Sequence, residues 1–86
     1  MAEQKIGVVT HYFSHIQVGA IQLTDGPLAV GDTIRIKGHT SDFTQVVDSM
    51  QIDKQTVPAA TVGQSVGLRM KEHARVHDQV FKVIPD

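Results

Sequence analysis

Four cations alternate with apolar residues on two short stretches of this chain. Arg35 and Lys37 lie in Thr33-Ile34-Arg35-Ile36-Lys37, and Arg69 and Lys71 in Ser65-Val66-Gly67-Leu68-Arg69-Met70-Lys71. They are half of the eight lysines and arginines. Alternate residues of an extended strand share a face, so all four are expected to point outward, where the phosphates of an RNA would meet them. Any wet strand alternates in this way, so the four form one cationic face only if their strands lie side by side. Tyr12, Phe13 and Phe43 are the aromatic residues that would stack on bases beside such a face, or else plug the ends of the fold.

Other chemistry finds few residues to carry it. His11 and His15 are four apart, as are His73 and His77, with His39 alone in a loop. Histidines at this spacing share a metal when they sit on one helical face. On a strand the same spacing spans about 13 Å, too far for one ion, so no metal site is expected. There is no Cys, which excludes disulfides and thiolate metal sites. No G-x-x-x-x-G-K-[ST] phosphate loop and no G-x-S-x-G elbow occur, so neither nucleotide hydrolysis nor serine catalysis is expected. Only two Glu are present, Glu3 and Glu72, and most Asp fall at turn positions. No catalytic residue and no cofactor are assigned.

The elements that must position these side chains are strands. The two alternating stretches are the clearest. Lys5 to Phe13 is rich in β-branched and aromatic residues and reads as a third strand. Ile16 to Leu23 reads as a fourth, but its apolar parity changes, which calls for a bulge or bend near Gly19. Phe43 to Ile52 shows a similar slip between Val47 and Met50, and Gln79 to Ile84 closes the chain. Breaks fall at Asp25-Gly26-Pro27, at 38–42 and at Val57-Pro58. No 3.6-residue apolar stripe appears, leaving room for at most one helical turn, within 71–78 or near 58–62. No internal repeat is evident.

Eighty-six residues with 41% hydrophobic content support one domain over 1–86, with its core between residues 5 and 84. About six regularly spaced strands imply an all-β fold, a small closed antiparallel β-barrel, since closure removes exposed edges. The apolar runs are too short to cross a bilayer as a helix, and no signal-peptide segment follows Met1, so a cytoplasmic protein without membrane contact is expected. The net charge of −1 argues against binding RNA through bulk charge and leaves a local patch as the only electrostatic route.

The order of motifs resembles a known family. Leu28-Ala29-Val30-Gly31-Asp32-Thr33-Ile34, followed by Arg35-Ile36-Lys37-Gly38, is similar to the L-x-x-G-D-x-[IV] hairpin in the β-barrel second domain of translational GTPases such as elongation factor Tu. The likeness continues through Val47 to Ile52, through Val57, Ala60, Gly63 and Ser65-Val66-Gly67-Leu68, and ends at Arg75-Val76-His77-Asp78-Gln79-Val80. The run from Gly38 to Ile52 looks like that of small stand-alone proteins described as translation elongation factor-like. A similar barrel is also appended to collagenase-like peptidase-family proteins, some of them linked to RNA modification. The resemblance makes Gly31, Asp32, Gly63 and Asp78 the turns that define the fold. His77 stands where the family has Gly, and the Gly-Arg-Gly-Thr stretch of elongation factor Tu has no counterpart at Tyr12 to Ile16, so no aminoacyl pocket is carried over.

Two functions follow as expectations. One is a non-enzymatic module without a GTPase domain that binds tRNA, ribosomal RNA or the ribosome. It would use Arg35, Lys37, Arg69 and Lys71, with Tyr12 and Phe13 stacking. The other is a protein–protein adaptor docking on an RNA-modifying or collagenase-like peptidase-family partner, through an exterior apolar patch that includes Val9, Phe13 or Val47.

Overall fold

The computed structural model describes residues 2–85 as ten strands, with no helix among them. In chain order they are β1 (Ala2–Phe13), β2 (Val18–Leu23), β3 (Leu28–Ala29), β4 (Thr33–Lys37), β5 (Asp42–Val46), β6 (Met50–Ile52), β7 (Gln55–Val57), β8 (Ala59–Ala60), β9 (Ser65–Arg69) and β10 (Gln79–Ile84). Eight form one antiparallel sheet in the order β5-β4-β10-β1-β2-β9-β6-β7, and β3 pairs with β8 apart from it. Among the described residues no helix is long and apolar enough to cross a membrane.

The expectation of an all-β fold holds, and that of a closed barrel does not. β5 and β7 are sheet edges. The physical reason lies in the segment read as a single strand from Phe43 to Ile52. At Val47 the regular ladder ends in a bulge: its N–H still donates to Asp32 O, but its C=O accepts from Gly31 N, while Asp32 N turns to Ala29 O. Val47-Asp48-Ser49 therefore separates β5 from β6, and β6 turns back on itself to form a small hairpin with β7. The hairpin leaves β7 paired with β6 alone, as β5 is with β4, and no ladder joins the two edges. No helical turn forms within 71–78 or 58–62.

Apolar alternation builds the core as its periodicity requires. Ile34 and Ile36 of β4, Val66 and Leu68 of β9, and Val80 of β10 are buried with Ile6, Val9, Ile21 and Leu23. Each fully buried side chain of this size contributes about 1.5–3 kcal/mol of apolar transfer, which is what holds so small a domain together. The parity change expected near Gly19 does not occur: Gly19, Ile21 and Leu23 form the buried face of β2, Val18 and Ala20 are half-buried on the other, and Ile16 lies outside the strand, exposed. β1 carries an irregularity instead, where Val9↔Ile21 is followed by His11↔Ala20. The extra residue, Thr10, donates its hydroxyl to Ala20 O at 3.3 Å. A second irregularity at Ile6 separates Lys5↔Phe81 from Gly7↔Val80. The two bulges let one 12-residue strand bend to serve both β10 and β2.

One four-residue turn occurs three times, so the chain does hold a small internal repeat. Ala29-Val30-Gly31-Asp32 leads into β4, Thr61-Val62-Gly63-Gln64 into β9, and Arg75-Val76-His77-Asp78 into β10. In each, the last residue's N–H donates to the first residue's C=O at 3.1 Å. Its side-chain oxygen also accepts from the first residue's N–H, at 2.9, 2.8 and 2.9 Å. The third residue has positive φ: 98° at Gly31, 93° at Gly63 and 78° at His77. The first two positions need glycine for that reason. At His77 a side chain sits where the left-handed backbone costs an L-residue roughly 1–2 kcal/mol. Glycine would remove that strain but lose more entropy on folding. His77→Gly is therefore expected to stabilise the domain by about 0.5–1 kcal/mol, read as a higher urea midpoint with an unchanged m-value.

Candidate interaction surface

The structure divides the four cations. β4 and β9 are separated in the sheet by β10, β1 and β2, so the two basic strands are not ladder neighbours. Arg35 points outward from the middle of β4 and is held by carboxylates. Its Nε donates to Asp42 Oδ1 at 2.8 Å, one terminal nitrogen to Asp42 Oδ2 at 2.7 Å, and the other to Glu3 at 3.1 and 3.2 Å. Asp42 begins the neighbouring strand β5, and Glu3 lies beyond β10 at the start of β1. These hydrogen bonds hold the Asp42 carboxyl below its ordinary range and raise the Arg35 guanidinium further. Arg35 thus faces two carboxylates that would repel a phosphate. Lys37 is exposed at the end of the same hairpin and adds its charge near Asp42.

Arg69 and Lys71 lie elsewhere, on one wall of an open cleft of ≈ 880 Å³ whose other wall is β5. Thr44 and Val46 line that opposite wall, and Asp48 stands at one end. The walls are tied by one side chain. Gln45 Nε2 donates to Arg69 O at 2.8 Å, and Lys71 N donates to Gln45 Oε1 at 2.7 Å. A carbonyl and an N–H two residues apart on one side of a strand are the groups that a neighbouring parallel strand would use. The Gln45 amide takes the place of that strand's peptide unit. A Gln on the same strand face as Phe43 and Val47 breaks the apolar alternation, and that exception was the available signal for this role. Gln45→Ala, which removes both bonds, is expected to cost about 1–2 kcal/mol in denaturant unfolding. Gln45→Glu should recover little of this, since a carboxylate cannot donate to Arg69 O.

Of the aromatic residues singled out for stacking, Tyr12 and Phe13 lie at the far end of β1 and Phe43 on β5. Tyr12 is half-buried against the His73 ring, with centroids 4.5 Å apart. Phe13 is 46% exposed and packs at 4.2 Å on His11, while Phe43 is buried in the core. Of the expected apolar patch only Phe13 is on the surface. Val9 and Val47 are buried, because Val9 pairs with Ile21 over the core and Val47 is drawn in by its bonds to Gly31 and Asp32. Gly31, Asp32, Gly63 and Asp78 all lie in the repeated turns, and Lys82 Nζ approaches Asp32 at 3.4 Å. No cluster of three or more His, Cys, Asp or Glu able to hold a metal occurs among the described residues.

Comparison with known proteins redirects the family reading. No family model matches the chain. A collagenase of Porphyromonas gingivalis is 33% identical over 78 residues, covering 90% of this chain and 22% of that protein. An uncharacterized protease of Methanocaldococcus jannaschii is 36% identical over 78 residues, covering 90% of this chain and 19% of that one. The chain thus spans about a fifth of the length of the curated relatives it matches. Among solved structures, the C-terminal domain of a Geobacillus thermoleovorans chain described as a U32 peptidase superposes with a TM-score of 0.87 at 20% identity, covering 94% of this chain and 93% of that one. Its selenomethionine variant gives 0.83, covering 90% and 96%. These matches overturn the translation-factor resemblance, and with it the link to elongation factor Tu, protein biosynthesis and the ribosome. The shared turn-and-strand grammar had produced that resemblance. Across nearly its whole length, the chain is similar in sequence to a segment of collagenase- and protease-named proteins about five times longer.

Proposed function

We propose that this chain is a non-catalytic docking domain that binds a collagenase-like, U32-type peptidase-family partner. The observation that carries the reading is the pattern of coverage. Sequence matches take in 90% of this chain and only 19–22% of relatives named collagenase or protease. The similar fold is likewise that of a C-terminal domain. The surface is consistent with a protein partner. Arg35 is already neutralised by Asp42 and Glu3, whereas Phe13, Ile16 and Val46 are apolar and open. The test is affinity capture from nuclease-treated lysate of the source cells with the tagged chain. A stoichiometric U32-type or collagenase-like chain, identified by mass spectrometry, is the expected result. Recovery of no stoichiometric protein, or of tRNA as the only ligand before nuclease treatment, would overturn the reading.

A further inference from the structure

β5 has the properties of an unfinished edge. It pairs with β4 on one side only. The phase of that ladder is fixed at both ends, by Gly38 N→Ser41 O and Val47 N→Asp32 O. Antiparallel pairs alternate between bonded and non-bonded, so Phe43 and Gln45 exchange bonds with β4, while the N–H and C=O of Thr44 and Val46 point away from it. Among the described residues these groups have no backbone partner. Sheet edges are ordinarily blunted by lysine, proline, a bulge or a covering segment. Thr44-Gln45-Val46 has neither lysine nor proline, its register with β4 is regular, and it opens onto the cleft.

The cleft also indicates what would complete the edge. Arg69 and Lys71 face it without an ion-pair partner among the described residues, against the single carboxylate of Asp48. A phosphate is a poor occupant, since the two outward carbonyls of β5 would repel it as much as the N–H groups attract it. A second copy of this chain fits less well than a foreign strand. Its own β5 carries one carboxylate, Asp42, already committed to Arg35. We infer that the β5 edge and the Arg69–Lys71 wall receive an extended acidic segment of a partner protein. The segment adds a strand to β5 through Thr44 and Val46 and places carboxylates opposite Arg69 and Lys71. This rests on the docking reading above and specifies its contact.

The probe is a pair of capped hexapeptides, Thr-Glu-Val-Glu-Val-Thr and its counterpart with lysine for glutamate, titrated into the isotopically labelled chain. The acidic peptide is expected to shift the amides of Thr44, Val46, Arg69 and Lys71, and the lysine peptide to bind at least about tenfold more weakly. Val46→Pro should abolish the shifts and leave the rest of the spectrum folded, because the Val46 N–H donates to no strand in the domain and proline is tolerated at edges. Should that variant fail to fold, Arg69→Glu with Lys71→Glu serves instead, and should reverse the preference between the peptides. No shift with either peptide, shifts confined to Phe13 and Ile16, or concentration-dependent shifts at Thr44 and Val46 without peptide would overturn the inference. Capture of the U32-type chain that survives Val46→Pro would overturn this contact alone, whereas no capture by the unmodified chain would overturn the docking reading itself.

Discussion

Gly7→Ala should lower the stability of this domain by about 3 kcal/mol. Gly7 is buried on β1 between the two bulges, paired with Leu23 of β2 and Val80 of β10. A Cβ built there would overlap the backbone carbonyl oxygen of Gln22 and stand 3.1 Å from Ile21 Cγ2. The carbonyl cannot retreat cheaply. It belongs to β2, which is laddered to β1 on one side and to β9 on the other, so a shift at Gln22 breaks pairings on both. A domain of this size has roughly 4–13 kcal/mol in total, so the change removes a large share of it. Thermal unfolding followed by circular dichroism should show a midpoint lower by on the order of 15 °C. A change of less than about 0.5 kcal/mol would mean that β1 and β2 are not held this closely.

The sequence shows where this packing comes from only in part. β4 falls where period-two alternation places it, and β9 ends within two residues of its expected limit, because each has one buried and one wet face; β10 keeps its expected bounds although only Val80 of it is buried. The hairpin of β6 and β7 is less legible. Its two-residue turn, Asp53-Lys54, has φ of 50° and 67°, a conformation usually signalled by Asn-Gly or Asp-Gly, and Lys at the second position conceals it. The bulge of β1 left no mark on β2, whose own alternation of buried and half-buried residues is unbroken, because an extra residue in one strand leaves its partner's alternation intact.

The surface was harder to read than the fold. The alternation gave the outward direction of Arg35, but the carboxylate that completes its clamp, Glu3, is 32 residues away. Charge bookkeeping along the sequence therefore counted as free a guanidinium that the fold has neutralised. Gln45 drew no attention in the sequence because its partners are backbone atoms 24 and 26 residues on. The family resemblance misled for a related reason. Gly31-Asp32 and Val76-His77-Asp78 are instances of one turn that delivers the chain into a strand, and such a turn marks local geometry more strongly than descent.

The same turn supports the second large prediction. Asp78 is 4% exposed, and its Oδ2 accepts the Arg75 N–H at 2.9 Å. Its other oxygen packs on Gly38 at the entry to the β4–β5 loop, so closely that a Cβ at Gly38 would overlap Oδ1. The two residues sit on adjoining strand ends, since β10 pairs with β4 at Gln79↔Lys37. Gly38→Ala should therefore cost about 2–3 kcal/mol by overpacking. Asp78→Ala should cost about 2 kcal/mol through the lost turn bond and the space it vacates. The double variant is where the geometry makes a sharp claim. With the carboxylate gone, the methyl group that Gly38→Ala introduces occupies part of the volume it leaves, so the double variant should be about as stable as Asp78→Ala alone. The coupling in a double-mutant cycle would then be about 2–3 kcal/mol in favour of the pair. Additive losses would show that the two residues are destabilised independently, and that the loop leading into β5 is not seated on the turn leading into β10. A coupling of the expected sign would identify that seat as what fixes the β4–β5 hairpin, and so the edge strand it presents to the cleft.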